Sequence, residues 1–148
     1  MQVRFASPDD MPRILQLGAE LHKNVPYSYI AYSDDFKYAL ELTLASNLLL
    51  VAEDDGGVFG VIGGVSAPVT FNPSKVFVQE LIFWVTPSKA NKGAGKALLE
   101  GFELAAKAVG ADVLFVSSLK TQLHKKTKKL YEYMGFKEAE VAYAKRVT

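Results

Sequence analysis

The run from Val85 to Gly110, VTPSKANKGAGKALLEGFELAAKAVG, restricts the fold of this chain more than any other stretch. A lysine-studded turn holding Gly93 and Gly95 opens a long amphipathic helix. A nearly continuous apolar strand over 76–85, VFVQELIFWV, leads into it and is closed by Pro87. Strand, turn and helix in that order make an anion-binding device. The first helical turn has N–H groups without intrahelical acceptors, and the macrodipole adds partial positive charge there. Glycine in the turn lets a phosphate approach the main chain closely.

The longer phosphate motifs do not fit. A nucleoside-triphosphate loop, G-x-x-x-x-G-K-[ST], would need glycine at Ala90 and a hydroxyl at Ala97. A dinucleotide fingerprint, G-x-G-x-x-G, would need a third glycine at Leu98. What remains resembles the pyrophosphate loop of the GNAT N-acetyltransferase superfamily, V-x-P-x-x-[RQ]-x-x-G-x-[GA] running into a helix. Val85, Pro87, Gly93 and Gly95 fall on it in register. Ala90 departs from it, standing where arginine or glutamine is usual, and Asn91 stands where glycine is common. Lys89, Lys92 and Lys96 offer charge instead. A second fragment agrees in order and spacing. LYEYMGF, residues 130–136, is similar to the family's late helix, whose tyrosine, here Tyr131, precedes a Gly-Phe pair entering the next strand. Seven residues ahead of it, where the family often has asparagine, stands His124.

The resemblance implies an α/β (α+β) fold with a mixed, mostly antiparallel central sheet of 6–7 strands flanked by about four helices, in one domain over residues 1–148. The residues read compatibly. Ser7-Pro8-Asp9-Asp10 is a helix start with proline in the first turn, and Met11, Ile14, Leu15 and Leu21 give the apolar face that follows. An aromatic loop over 24–33 precedes a helix from Asp35 to Ala45, with Phe36, Leu40 and Leu44 on one side. Strands near 47–53 and 58–66 flank the hairpin turn Asp54-Asp55-Gly56-Gly57. In the helix after the loop, Ala94, Leu98, Phe102, Ala105 and Val109 form the buried stripe. A strand over 112–118, a helix ending near Met134, and a strand pair or one long strand over 136–147 complete the chain.

Composition removes several rivals. With 148 residues, 49% of them apolar, the chain can bury a core. It has no cysteine, which excludes disulfides, zinc-thiolate sites and a covalent acyl-cysteine relay. Its two histidines, His22 and His124, are too few for a histidine-based metal centre, so no metal is expected. No apolar run reaches the length of a membrane span and no charged-then-apolar leader is visible, so a soluble, cytoplasmic protein is expected. A net charge of +1 argues against a dedicated nucleic-acid binder.

The resemblance further implies acetyl transfer from acetyl-coenzyme A to an amine, in a ternary complex of monomer or homodimer. An alkylammonium has a pKa of about 10.4, so the acceptor must first lose a proton. Glu80, the one carboxylate on the 76–85 strand, is the candidate base, directly or through a water chain. A backbone N–H near Val85 is the candidate donor to the oxyanion, and Tyr131 the candidate acid for the departing thiolate. Phe83, Val85, Lys92, Gly93, Ala94, Gly95, Lys96 and His124 are the expected cosubstrate contacts. Tyr27, Tyr29 and Tyr32, in the aromatic loop, are the expected acceptor contacts. The acceptor stays open between a small-molecule and a protein amine.

Each residue also has a plainer reading. Glu80 can pair with a basic side chain, and strict alternation puts it on the face of Ile82 and Trp84 unless a bulge intervenes. Tyr131 can be a core aromatic, His124 a surface residue, and the tyrosines simple loop packing. The glycines can serve an ordinary tight connection. The lysines at 120, 125, 126, 128 and 129 read as a solvated helix face, from which one or two can reach the 3′-phosphate of coenzyme A. A non-catalytic coenzyme A sensor or adaptor of the same fold is the alternative function, and a nucleic-acid module resting on those lysines is a third.

Overall fold

The computed structural model describes residues 1–148. In chain order the elements are β1 (Gln2–Phe5), a 3-10 turn (Pro8–Asp10), α1 (Met11–His22), α2 (Phe36–Ala45), β2 (Leu49–Asp54), β3 (Gly57–Val69) and β4 (Asn72–Val85). A second 3-10 turn (Pro87–Lys89), α3 (Ala94–Ala108), β5 (Val113–Phe115) and α4 (His124–Tyr133) follow. The sheet runs β1-β2-β3-β4-β5, antiparallel throughout except that β5 joins β4 in parallel. Parallel pairing needs a crossover, and the loop plus α3 provide it.

Each face of the sheet carries its own core. On one side α1 and α2 bring Ile14, Leu17 and Leu40 against Leu49, Val51, Val61, Ile82 and Trp84. On the other, α3 and α4 bring Leu98, Leu99, Phe102 and Tyr131 against Leu50, Ile62 and Val78. The amphipathic stripe of α3 is as its sequence predicts, with Ala94, Leu98, Phe102 and Ala105 buried. The start of α1 is also as read, since the Asp10 carboxylate accepts from Ser7 N–H at 2.8 Å and Ser7 Oγ at 3.2 Å. That same carboxylate meets the Arg4 guanidinium, which also grips Glu53, so β1, β2 and the start of α1 are tied at one corner.

Three expectations are corrected. The sheet has five strands, not 6–7, and residues 136–147 form no strand. A strand requires a neighbouring ladder for its N–H and C=O groups. Past Phe136, which caps α4 through its N–H to Tyr131 O at 2.9 Å, the segment has no such partner, and Val141, Tyr143 and Val147 face solvent. The strand expected over 112–118 is likewise cut to Val113–Phe115.

One irregularity sets the position of the site. β3 and β4 pair regularly from Gly60↔Val85 to Gly63↔Ile82, and then Gly64 pairs with Glu80, which leaves Leu81 as an extra residue in β4. Such a bulge swaps the faces of the strand on either side of it. Glu80 therefore shares the α3/α4 side with Phe83 and Val85, while Ile82 and Trp84 turn to α1 and α2. Gly64 permits the kink, for a Cβ there would stand 2.3 Å from Gln79 O and 2.8 Å from Phe102 Cζ.

Candidate active site

The β4–β5 ladder consists of Phe77↔Val113, Val78↔Leu114 and Gln79↔Phe115, and then it ends. Beyond it β4 continues to Val85 while residues 116–119 leave the sheet, so the two segments part and a cleft of about 680 Å³ opens between them. Glu80, Leu81, Phe83 and Val85 line one wall, Ser117, Ser118 and Leu119 the other, with Gly93 and Gly95 at one end. On this edge the β4 backbone has no strand partner after Gln79.

The loop between β4 and α3 ends at Gly93, whose φ of 79° is the left-handed conformation that glycine adopts without a Cβ clash. The N–H groups of Asn91, Gly93, Ala94, Gly95 and Lys96 donate to no protein acceptor. The loop is braced from both sides. Lys89 pairs with Asp54 on β2 and lies over the Phe59 ring, while Lys126 of α4 donates to the Asn91 side-chain Oδ1. An N-terminal helix turn with free donors, flanked by Lys92, Lys96 and Lys126, is suited to a diphosphate.

Glu80 and Tyr131 meet at one peptide. Ser117 N–H donates to Glu80 Oε2 at 3.1 Å, and the Tyr131 hydroxyl donates to Ser117 O at 2.7 Å. The carboxylate thus takes the place of the ladder bond that the parting strands forgo. Glu80 Oε1 makes no protein hydrogen bond. Burial pushes the Glu80 carboxyl up to about 7, against the smaller opposing effect of the Ser117 N–H. Burial, and then the Glu80 charge, push the Tyr131 phenol well above its ordinary value, so it stays protonated at neutral pH. Phe83 and Phe136 hold its ring, with centroids at 6.5 Å and 5.7 Å.

The cleft collects Glu80, Tyr131, Phe83, Val85, Gly93, Gly95, Lys96 and Tyr27 of the expected residues. Ala94 is buried in the core and can contribute only its N–H, and Lys92 is exposed at the rim of the loop. His124 lies at the start of α4 with Nδ1 2.8 Å from Ser118 Oγ, one step behind the wall. Two of the three tyrosines lie outside the cleft. Tyr32 donates to Leu15 O at 2.7 Å and packs beside Phe36, bracing α1 to α2, while Tyr29 lies under the Arg146 guanidinium at 5.0 Å. Sequence reading did not single out Leu81, Trp84, Ser117 or Ser118. The Ser-Ser pair closing the apolar run VLFV was the available signal for the last two, whereas Leu81 and Trp84 depend on the bulge.

A profile of the family described as "Acetyltransferase (GNAT) domain" matches residues 45–138. No curated protein matches the chain. Among solved structures, a ribosomal-protein-alanine N-acetyltransferase from Brucella melitensis biovar Abortus 2308 superposes with a TM-score of 0.71 at 22% identity, covering 99% of each chain. An aminoglycoside acetyltransferase from an uncultured soil metagenomic sample superposes at 0.73 and 20% identity, covering 99% of this chain and 98% of that one. AAC(6')-Iy, solved with the bisubstrate analog CoA-S-monomethyl-acetylneamine, superposes at 0.71 and 21% identity, covering 98% and 97%. At these identities the superpositions speak for the fold.

Proposed function

The chain belongs to the GNAT acetyltransferase family, and on that premise we propose that it moves the acetyl group of acetyl-coenzyme A to a primary amine by direct attack in a ternary complex. The observation that carries this reading is the set of unpartnered N–H groups of Asn91, Gly93, Ala94, Gly95 and Lys96 at the mouth of the cleft made by the parting of β4 and β5. The residues fit the cosubstrate. The free donors and Lys96 and Lys126 suit its diphosphate, and the unpaired edge of β4 suits an extended amide-bearing arm.

When bound, acetyl-coenzyme A supplies a thioester whose carbonyl the neutral amine attacks to give an amide and the free thiol. Glu80 accepts the ammonium proton at Oε1, directly or through water, and a carboxylate poised near 7 is matched to that task. Tyr131, held as the neutral phenol, gives its proton to the departing sulfur, and the second proton lost by the attacking nitrogen restores the phenol. Backbone N–H groups on the free edge of β4 near Val85 would donate to the acyl oxygen as it gains negative charge. With no cysteine in the chain, no thiol relay interposes.

A second reading, a coenzyme A-binding sensor without turnover, draws on the clasp in which Glu80 and Tyr131 both hold Ser117. Release of thiol from acetyl-coenzyme A in the presence of an amine panel decides between them. The proposal expects amine-dependent thiol release with an acetamide product; saturable binding with no release from any amine would leave the sensor.

A further inference from the structure

We infer that the acceptor is a small primary monoamine carried on an apolar, aromatic-compatible body, and not a polycation such as an aminoglycoside or a polyamine. This rests on the proposed amine acetylation and narrows it. Besides the loop residues Gly93 and Gly95, the cleft is lined by Leu21 of α1, by Val25 and Tyr27 of the loop after it, by Leu81 and Trp84 of β4, and by Leu119. Its neutral polar side chains include Asn24, Gln79, Ser117, Ser118 and Thr121. Of all the residues lining the cleft, Glu80 alone is acidic.

Glu20, a carboxylate in contact with the lining residue Trp84, is already engaged. Glu20 accepts from Trp84 Nε1 at 2.9 Å and from Thr86 Oγ1 at 3.1 Å with one oxygen, and its other oxygen lies 3.8 Å from Arg13. The bond to Trp84 also fixes the indole ring, so a rigid aromatic wall stands there. The remaining charges on the lining, Lys96 and Lys126, are cationic and give a second ammonium no counter-charge.

One carboxylate can receive one reacting ammonium. Each further ammonium of a polycation would lose water against leucine, valine and tryptophan without gaining a counter-charge, a cost that rises with every added charge. An apolar body gains instead by removing Leu81, which the bulge leaves 45% exposed, from water.

The test compares initial rates of thiol release from acetyl-coenzyme A by the full chain with 2-phenylethylamine, n-hexylamine, spermidine and tobramycin. The same amines are then titrated by thermal shift with coenzyme A present. Expected is a kcat/KM at least about tenfold higher for the two monoamines, with saturable stabilisation by them alone. Leu81→Glu, which adds a second carboxylate at an exposed position, is expected to lower the ratio of 2-phenylethylamine to spermidine at least about tenfold. Equal or faster turnover of spermidine or tobramycin overturns the inference while leaving amine acetylation intact. If no amine releases thiol, the acetylation reading fails, and the binding arm still decides the ligand class. Stabilisation by the polycations, or by none of the four amines, then counts against an apolar monoamine.

Discussion

At the residue scale the proposed chemistry converges on the peptide of Ser117, whose N–H holds Glu80 and whose C=O holds Tyr131. Because burial raises Glu80 to about 7, kcat/KM should climb with pH and level off above an inflection near 7. In Glu80→Gln the value should drop by about 100-fold or more and lose that inflection, as read from pH-dependent initial rates. Stability moves the other way. A carboxyl whose folded value lies above its ordinary 4.5 binds its proton more tightly in the native state. Its favourable contribution is complete below 4.5 and disappears as pH rises through about 7. Urea unfolding should therefore show wild type losing on the order of 3 kcal/mol relative to Glu80→Gln between pH 4.5 and 7.5. For Tyr131→Phe a kcat lower by about 100-fold is expected, with KM for acetyl-coenzyme A little changed. Unchanged kcat under chemistry-limited conditions would remove Tyr131 from the proposed chemistry. The tyrosine was legible because a Gly-Phe pair fixes its place on the helix. The orientation of Glu80 was not, since alternation alone sends it to the face of Ile82 and Trp84.

At the element scale, that orientation belongs to the pairing of β3 with β4. The extra residue Leu81 exists only relative to the partner strand, so no reading of β4 alone locates it; Gly63-Gly64 in β3 was the trace it left in the sequence. The loop before α3 was legible for the opposite reason, because its glycines, its proline and the helix it opens are contiguous. What holds the loop in place comes from far along the chain. Asp54, on the β2–β3 hairpin, pairs with Lys89, which holds the Asp54 carboxyl below its ordinary value with help from the Gly56 N–H. Asp54→Asn should loosen the loop without touching the chemistry. The expected result is a KM for acetyl-coenzyme A raised about three- to tenfold with kcat within about twofold, and unchanged KM would show that the pair has no part in placing the loop. The tyrosines divide by the same logic. A loop of aromatics signals packing as readily as binding, and the hydroxyl of Tyr32 finds Leu15 O while Tyr27 lines the cleft.

At the scale of the whole molecule, two cores clamp a sheet whose fourth and fifth strands separate after three paired residues. The alternation of apolar strands and amphipathic helices made the mixed fold legible, and the count of helices with it. The strand count was not, because KEAEVAYAKRVT over 137–148 has a strand-like alternation but no ladder beside it, and pairing is a property of two segments. The parting of β4 from β5 leaves the unpaired edge on which the proposed function depends, and α3 supplies the free amides at its end. The most direct measurement is calorimetric titration of the full chain with acetyl-coenzyme A, beside S-acetyl-N-acetylcysteamine, a thioester lacking the diphosphate. Saturable uptake of one acetyl-coenzyme A per chain is expected, with the truncated thioester at least about 100-fold weaker. No binding of acetyl-coenzyme A, or equal binding of the two, would contradict the proposed function.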